Sequence, residues 1–207
     1  MLGDKLIFYP WLYFGDTSVD SCMISEKSDR VLKAIEKASE RRYLPIIGPE
    51  RGKILAEIVR KLKPKRVLEV GSLVGYSTIL MARELGGDSE IVSIEIDEDE
   101  AETARKNIRE AEVGPKVHVL AGDASEVIPK ITGEFDLVFL DAAKHEYLRH
   151  LQLVEGKLHK GSTVIADNAG TLAYSMRNYL NYVRNSEKYE SHYIPADGDG
   201  LEVSTKL

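Results

Sequence analysis

Apolar residues recur at helical spacing in two stretches near the start of the chain, and in short dense runs after them. Over Lys27 to Arg42, KSDRVLKAIEKASERR places Val31, Leu32, Ile35 and Ala38 on one face, which predicts an amphipathic helix ended by Pro45. Ile54, Leu55, Ile58, Val59 and Leu62 predict a second helix from Pro49 to Lys63, stopped by Pro64. Then the rhythm changes. RVLEV (66–70), EIVSIEI (90–96), KVHVLA (116–121), DLVFL (136–140) and STVIA (162–166) are rich in β-branched and apolar residues and predict strands. Helical stretches lie between them, at Ser77 to Leu85, Glu98 to Ala111 and Tyr147 to Leu158. This alternation predicts an α/β fold: βαβ units forming a parallel sheet with helices on both faces. The tail differs. ESHYIP and GLEVSTK read as two strands joined by ADGDG, an antiparallel pair closing one edge. With no repeat and no low-complexity linker, residues 1–207 are expected to form a single domain, with 1–44 an N-terminal arm and helix and 45–207 the core.

Composition narrows the classes. The 207 residues are 43% hydrophobic and 30% charged, and the net charge of −6 argues against a protein coated in basic residues for nucleic acid. A single cysteine, Cys22, excludes an intrachain disulfide and a Cys-based zinc site, and fits a reducing cytoplasm. The opening MLGDKLIFYPWLYFGD is apolar, but Tyr9, Pro10, Tyr13 and Gly15 interrupt it and no A-x-A-like cleavage site follows. No run approaches the roughly 18 apolar residues of a membrane span. The opening reads as an arm whose aromatics pack on the domain or on a partner subunit.

In open α/β sheets, ligands bind outside the carboxyl ends of the strands. The residues there are Gly71, Glu95, Asp123, Asp141 and Asp167, and four of these five are carboxylates. The first strand runs into Gly71-x-x-x-Gly75 and a helix, the geometry of a nucleotide site. Leu73 stands where a dinucleotide site needs a glycine for the pyrophosphate, so a nicotinamide oxidoreductase is disfavoured. An adenosine without a pyrophosphate fits better, which points to S-adenosylmethionine. Glu95, 24 residues after Gly71, is placed to accept the ribose hydroxyls, and Asp123 to accept from the adenine amino group. Each feature has a local alternative: a tight strand–helix turn for the glycines, and for Glu95 the start of an acidic helix N-terminus.

Together, LEVGSLVGYST, VSIEID, FLDAAKHEY, IADNA, the final GDGLEVSTK and the upstream IIGPERGKIL resemble the class I S-adenosylmethionine-dependent methyltransferases, and among them the metal-dependent O-methyltransferases of the catechol and caffeoyl-CoA group. The resemblance spans about Pro45 to Lys206. It implies a three-layer Rossmann-like methyltransferase fold with a mostly parallel seven-stranded sheet and an antiparallel C-terminal strand. It implies cofactor contacts at Ile47, Glu69, Gly71, Ser72, Gly75, Ser77, Glu95, Ile96, Asp123, Ala124 and Asp141. It implies a divalent cation on Asp141, Asp167 and Asn168, whose oxygen-only set suits Mg²⁺. Lys144, three residues after Asp141, stands where the family has its general base, and a nearby cation disfavours its ammonium form. Taken alone, Asp-Asn after a strand is a common turn or cap pair, and Lys144 an ordinary surface lysine.

The match departs from both named groups. Ala143 stands where the plant enzymes carry a further acid. The position of the catechol enzymes' substrate-holding Glu falls near Tyr193, with Glu190 offset. The acceptor is therefore read as a small molecule with adjacent oxygens. The basic run RGKILAEIVRKLKPKR raises an alternative, since some members methylate a hydroxylated uridine in tRNA. A non-catalytic S-adenosylmethionine-binding protein is the other alternative. His118, His145, His150, His159 and His192 are read as non-ligands. The family's frequent dimers make FYPWLYF a candidate homodimer interface.

Overall fold

The structure, a computed structural model, describes residues 26–207. The aromatic arm and its expected role as an interface lie outside these residues. Seven strands form one sheet: β1 (Arg66–Val70), β2 (Glu90–Glu95), β3 (Lys116–Ala121), β4 (Phe135–Leu140), β5 (Leu158–Ala166), β6 (Tyr189–Ala196) and β7 (Asp199–Lys206), in the order β3-β2-β1-β4-β5-β7-β6. Strands β1 to β5 pair in parallel, and β7 runs antiparallel to both β5 and β6. The helices are α1 (Glu26–Arg41), α2 (Pro49–Leu62), α3 (Tyr76–Ala82), α4 (Glu98–Ala111), α5 (Ala124–Val127), α6 (Tyr147–Val154) and α7 (Arg177–Asn185).

Alternation along the strands builds the three layers. Val67, Ile91, Leu137, Phe139 and Ile165 face a core shared with α1 to α4. Leu68, Val70, Val92, Val138 and Val164 face the opposite core, with Leu151 and Val154 of α6 and Tyr179 and Val183 of α7. Strands buried on both faces read as near-continuous apolar runs, which is why they stood out. Each fully buried Leu, Ile or Phe contributes about 1.5–3 kcal/mol. Helix α2 begins with Pro49 in its first turn and ends where Lys63 turns left-handed and its N–H reaches Val59 O, just before Pro64. Among the described residues, no helix is long and apolar enough to cross a membrane.

The structure departs from the expected elements in four places. Helix α3 ends at Ala82, three residues before the expected Leu85. Helix α7 fills a stretch where none was expected; it buries only Tyr179, Leu180 and Val183 among polar residues. Strand β5 starts at Leu158, and α6 stops at Val154. Asp123 caps a one-turn helix, α5, formed by the residues after it, where a loop was expected.

Candidate active site

The parallel ladder delivers the strand ends to one edge. Gly71 N–H donates to Ile94 O at 2.8 Å, Asp141 N–H to Val70 O at 2.9 Å, Asp167 N–H to Leu140 O at 3.0 Å and Gly122 N–H to Glu95 O at 2.8 Å. Only glycine fits at position 71. Its φ is +96°, and an added Cβ would lie 2.3 Å from the Asp141 carbonyl oxygen. The loop then turns through Leu73, also left-handed at φ 48°, whose N–H is held by Glu95 Oε2 at 2.7 Å.

A cavity of about 240 Å³ opens over these ends. Ile47, from the segment before α2, forms one wall; Gly71, Ser72 and Ser77 form the base. Glu95 and Ile96 lie on the β2 side, Asp123 and Ala124 beyond them, and Asp141 closes the β4 side. Nine residues singled out from the sequence thus share one cavity. The buried Ser72 hydroxyl has no partner among the described residues, an orphan polar atom beside a space for a polar ligand. Asp123 spends one oxygen capping α5 through Ser125 N–H at 2.7 Å.

Two expected cofactor contacts lie elsewhere. Glu69 is fully buried beneath the glycine loop, on the strand face turned to α3, and does not line the cavity. It accepts hydrogen bonds from Ser77 (2.5 Å), Ser93 (2.5 Å) and Thr78. Ser77 reaches the cavity, but its hydroxyl is committed to Glu69. Gly75 caps α3 at φ 85° and packs against Ala104 of α4, where an added Cβ would sit 3.4 Å away.

At the β4–β5 corner, Asp141 and Asp167 directly follow the paired residues Leu140 and Ala166, with Asn168 next in the chain, so the three expected metal ligands stand at adjacent strand ends. Each carboxylate has a basic partner. Lys144 Nζ donates to Asp141 Oδ1 at 2.8 Å and to the Tyr147 hydroxyl at 2.7 Å. Arg51 Nη1 donates to Asp167 Oδ1 at 2.8 Å and to Asp199 Oδ2 at 3.0 Å. Burial first, and then the negative charge of Asp141, push the Asp167 carboxyl up from its ordinary value. Burial likewise raises the Tyr147 hydroxyl. Two like carboxylates in a buried corner form a place a cation would relieve. The donor set fits a hard divalent ion: it is all oxygen, and Asp141 Oδ2 and the Asn168 side-chain oxygen accept no hydrogen bond from a described residue. The set is small. No group of three or more His, Cys, Asp or Glu side chains suited to a metal occurs among the described residues, so water and substrate would supply the remaining ligands.

Arg51, Tyr147 and Asp199 also stand at this corner, where the sequence did not lead us to expect them. Arg51 and Asp199 lay inside quoted motifs, but their partners are 116 and 148 positions from Arg51. Tyr147 lay three residues beyond Lys144, a spacing that brings side chains together on a helical turn. The acceptor-side residues also resolve. Glu190 points away and pairs with His192 at 3.3 Å, while the Tyr193 hydroxyl donates to Asp199 O at 2.6 Å. Six of the seven basic residues in 51–66 face carboxylates: Arg51 as above, Lys53 on Glu50, Arg60 on Glu84, Lys61 on Glu57, Lys65 on Asp88 and Arg66 on Glu90. His150 lines the cavity, buried, with both ring nitrogens lacking partners among the described residues. Burial lowers its pKa.

Known proteins resemble this chain in sequence and in fold. The profile of the O-methyltransferase family matches residues 22–176. Catechol O-methyltransferase B of Danio rerio is 33% identical, over 93% of this chain and 83% of its own. Catechol O-methyltransferase of Mycobacterium tuberculosis is 34% identical, over 74% and 70% respectively. Among solved structures, the O-methyltransferase TomG from Streptomyces achromogenes, involved in tomaymycin synthesis and bound to SAM, aligns with a TM-score of 0.79 and 25% identity, covering 90% of this chain and 93% of that one.

Proposed function

Because the chain belongs to the O-methyltransferase family, as an S-adenosylmethionine-dependent enzyme of the catechol O-methyltransferase type, we propose that it methylates one hydroxyl of a small molecule carrying two adjacent oxygens, assisted by a divalent cation, Mg²⁺, on Asp141, Asp167 and Asn168. On this reading residues 1–207 act as one catalytic unit, and residues 45–207 carry the donor and the chemistry.

The observation that carries the proposal is the corner itself. Two carboxylates and a side-chain amide sit at adjacent strand ends, and one of them, Asp141, also walls the donor cavity. Asp141, Asp167 and Asn168 would hold a divalent ion there, and when bound it would supply positive charge to stabilise a deprotonated acceptor hydroxyl. The protein's residues do the rest. Gly71, Ser72 and Glu95 seat the donor, with Glu95 also fixing the loop through Leu73. Ile47 covers it from the side of α2. The Lys144 amine takes the acceptor's hydroxyl proton, and Tyr147 and Asp141 hold that amine in place. The acceptor oxygen's electron pair then forms the bond to the methyl carbon, and the carbon–sulfur bond breaks to leave S-adenosylhomocysteine. Alignment of oxygen and methyl within one closed site supplies much of the acceleration.

The test is methyl transfer from labelled donor to phenolics with adjacent hydroxyls and to undermodified tRNA, each with and without EDTA. Label in the phenolics, lost with EDTA and restored by Mg²⁺, is the expected result. Transfer indifferent to EDTA, or to tRNA alone, overturns it. The paired state of the basic run gives the tRNA reading no support.

A further inference from the structure

Asp199, the first residue of β7, makes more polar contacts than any other side chain around the cation corner. Its Oδ1 accepts the N–H groups of Gly170 and Thr171, both at 2.9 Å. Its Oδ2 accepts the Thr171 hydroxyl at 2.7 Å, Asn168 Nδ2 at 2.8 Å and Arg51 Nη1 at 3.0 Å. Two backbone N–H groups and a guanidinium can only donate, so both oxygens act as acceptors. The Asn168 amide must therefore turn its NH₂ to Asp199, which leaves its carbonyl oxygen for the corner. Asn168 itself is left-handed at φ 62°, a conformation asparagine tolerates better than most residues. Arg51 is shared: the same nitrogen touches Asp199 and Asp167.

Resting on the cation reading above, we propose that Asp199 is a positioning residue of the cation site: it aims the Asn168 carbonyl at the ion and keeps hold of Arg51 when the ion takes Asp167. Arg51 is then a built-in competitor for Asp167. Its guanidinium balances that carboxylate while the site is empty of metal and is repelled from it on loading, and Asp199 retains it beside α2. Residues that orient metal ligands commonly change metal affinity about 10- to 100-fold when removed. The two halves of the device predict opposite signs. Loss of Asp199 loosens the site; loss of Arg51 removes a rival positive charge and tightens it. A side chain with a merely structural role would not tighten metal binding when cut back.

The experiment measures Mn²⁺ binding to the full chain by electron paramagnetic resonance, without acceptor, alongside S-adenosylhomocysteine binding by calorimetry. Asp199→Asn is expected to weaken Mn²⁺ by about 10- to 100-fold with S-adenosylhomocysteine affinity kept. Arg51→Gln is expected to bind Mn²⁺ more tightly than wild type. Thr171→Val removes one hydrogen bond to the same Asp199 oxygen and is expected to weaken Mn²⁺ by roughly 2- to 10-fold; it carries the test if Asp199→Asn does not fold. Wild-type Mn²⁺ affinity in Asp199→Asn or Thr171→Val, or weaker binding in Arg51→Gln, overturns the assignment. No Mn²⁺ binding by wild type overturns the cation reading itself, and this inference with it.

Discussion

Substituting glutamine for Glu69 keeps the shape of the side chain and removes its charge. Glu69 is fully buried, and burial pushes its carboxyl up from the ordinary 4.5 to about 7, against the pull of three hydroxyl donors that favour the charged form. A group whose folded pKa is raised contributes stability that is complete below its unfolded pKa and lost as pH rises through the folded one. The window here is therefore about pH 4.5 to 7. At about 1.36 kcal/mol per pKa unit, the full displacement costs the wild type roughly 3 kcal/mol above that window, of which about 2.5 kcal/mol develops between pH 5 and pH 8. Glutamine does not titrate. Urea unfolding at pH 5, 6, 7 and 8, with equal m-values required, should show Glu69→Gln gaining on the wild type as pH rises. Ser93→Ala, which deletes one donor to the charged form, should steepen the wild-type loss. A stability difference flat with pH, or a variant that falls behind as pH rises, would mean the hydroxyls outweigh burial and the native carboxylate is ionised.

Three further outcomes follow from the same geometry. Gly71→Ala forces a left-handed alanine, worth about 1–2 kcal/mol by itself, into the Asp141 carbonyl; S-adenosylhomocysteine binding by calorimetry should be lost, and a normal titration would refute the close approach. Tyr147→Phe removes the hydroxyl that accepts from Lys144; a hydrogen bond to a charged group is worth about 1.5–3 kcal/mol, so kcat should fall about tenfold or more with S-adenosylhomocysteine affinity unchanged, and an unchanged kcat would remove Tyr147 from the machinery. His150 is held neutral by burial, so the unfolded chain takes up a proton that the native state excludes as pH falls below its ordinary 6.5; His150→Leu should be less acid-sensitive than wild type in melts at pH 7.5 and pH 5, and parallel losses would count against it.

The layers were legible because burial on both faces leaves a mark in the sequence. Strand β1, buried at four of its five positions, falls at its expected bounds, 66–70, and helix α4 at 98–111. Helix α7 does carry helical spacing, with Tyr179, Leu180 and Val183 on one face, but it is short and rich in asparagine, a weak helix former, which masks it in the sequence. The site divides in the same way. Asp141 and Asp167 were readable because a carboxylate directly after an apolar run breaks the local pattern, and neighbouring strands carry the break to one place. Glu69 and Ser77 fit the local pattern for cofactor ligands equally well, yet they bond to each other, because strand alternation turns Glu69 under the loop. Arg51 and Asp199 meet only through the folded sheet edge, and no local pattern records a partner 148 positions away.

On the proposed reading, that unreadable pair also bears on how Lys144 would serve as base, which it can do only as the neutral amine. In formal charges, Asp141, Asp167 and Asp199 against Arg51 then leave the corner two units negative, which favours a proton on the amine. With a divalent ion bound the sum would be zero and that bias would be gone, and moving the acceptor's proton to the amine would leave the sum unchanged. Arg51 sets this balance. Were it replaced by a neutral residue, the corner would stay one unit negative with the ion bound, and the base would keep its proton to higher pH even though the ion bound more tightly. Arg51→Gln should thus raise Mn²⁺ affinity while shifting the rising limb of the pH–kcat profile to higher pH, and Arg51→Lys should restore it. A profile that stays in place while metal affinity rises would show that the guanidinium acts on the ion alone and not on the base.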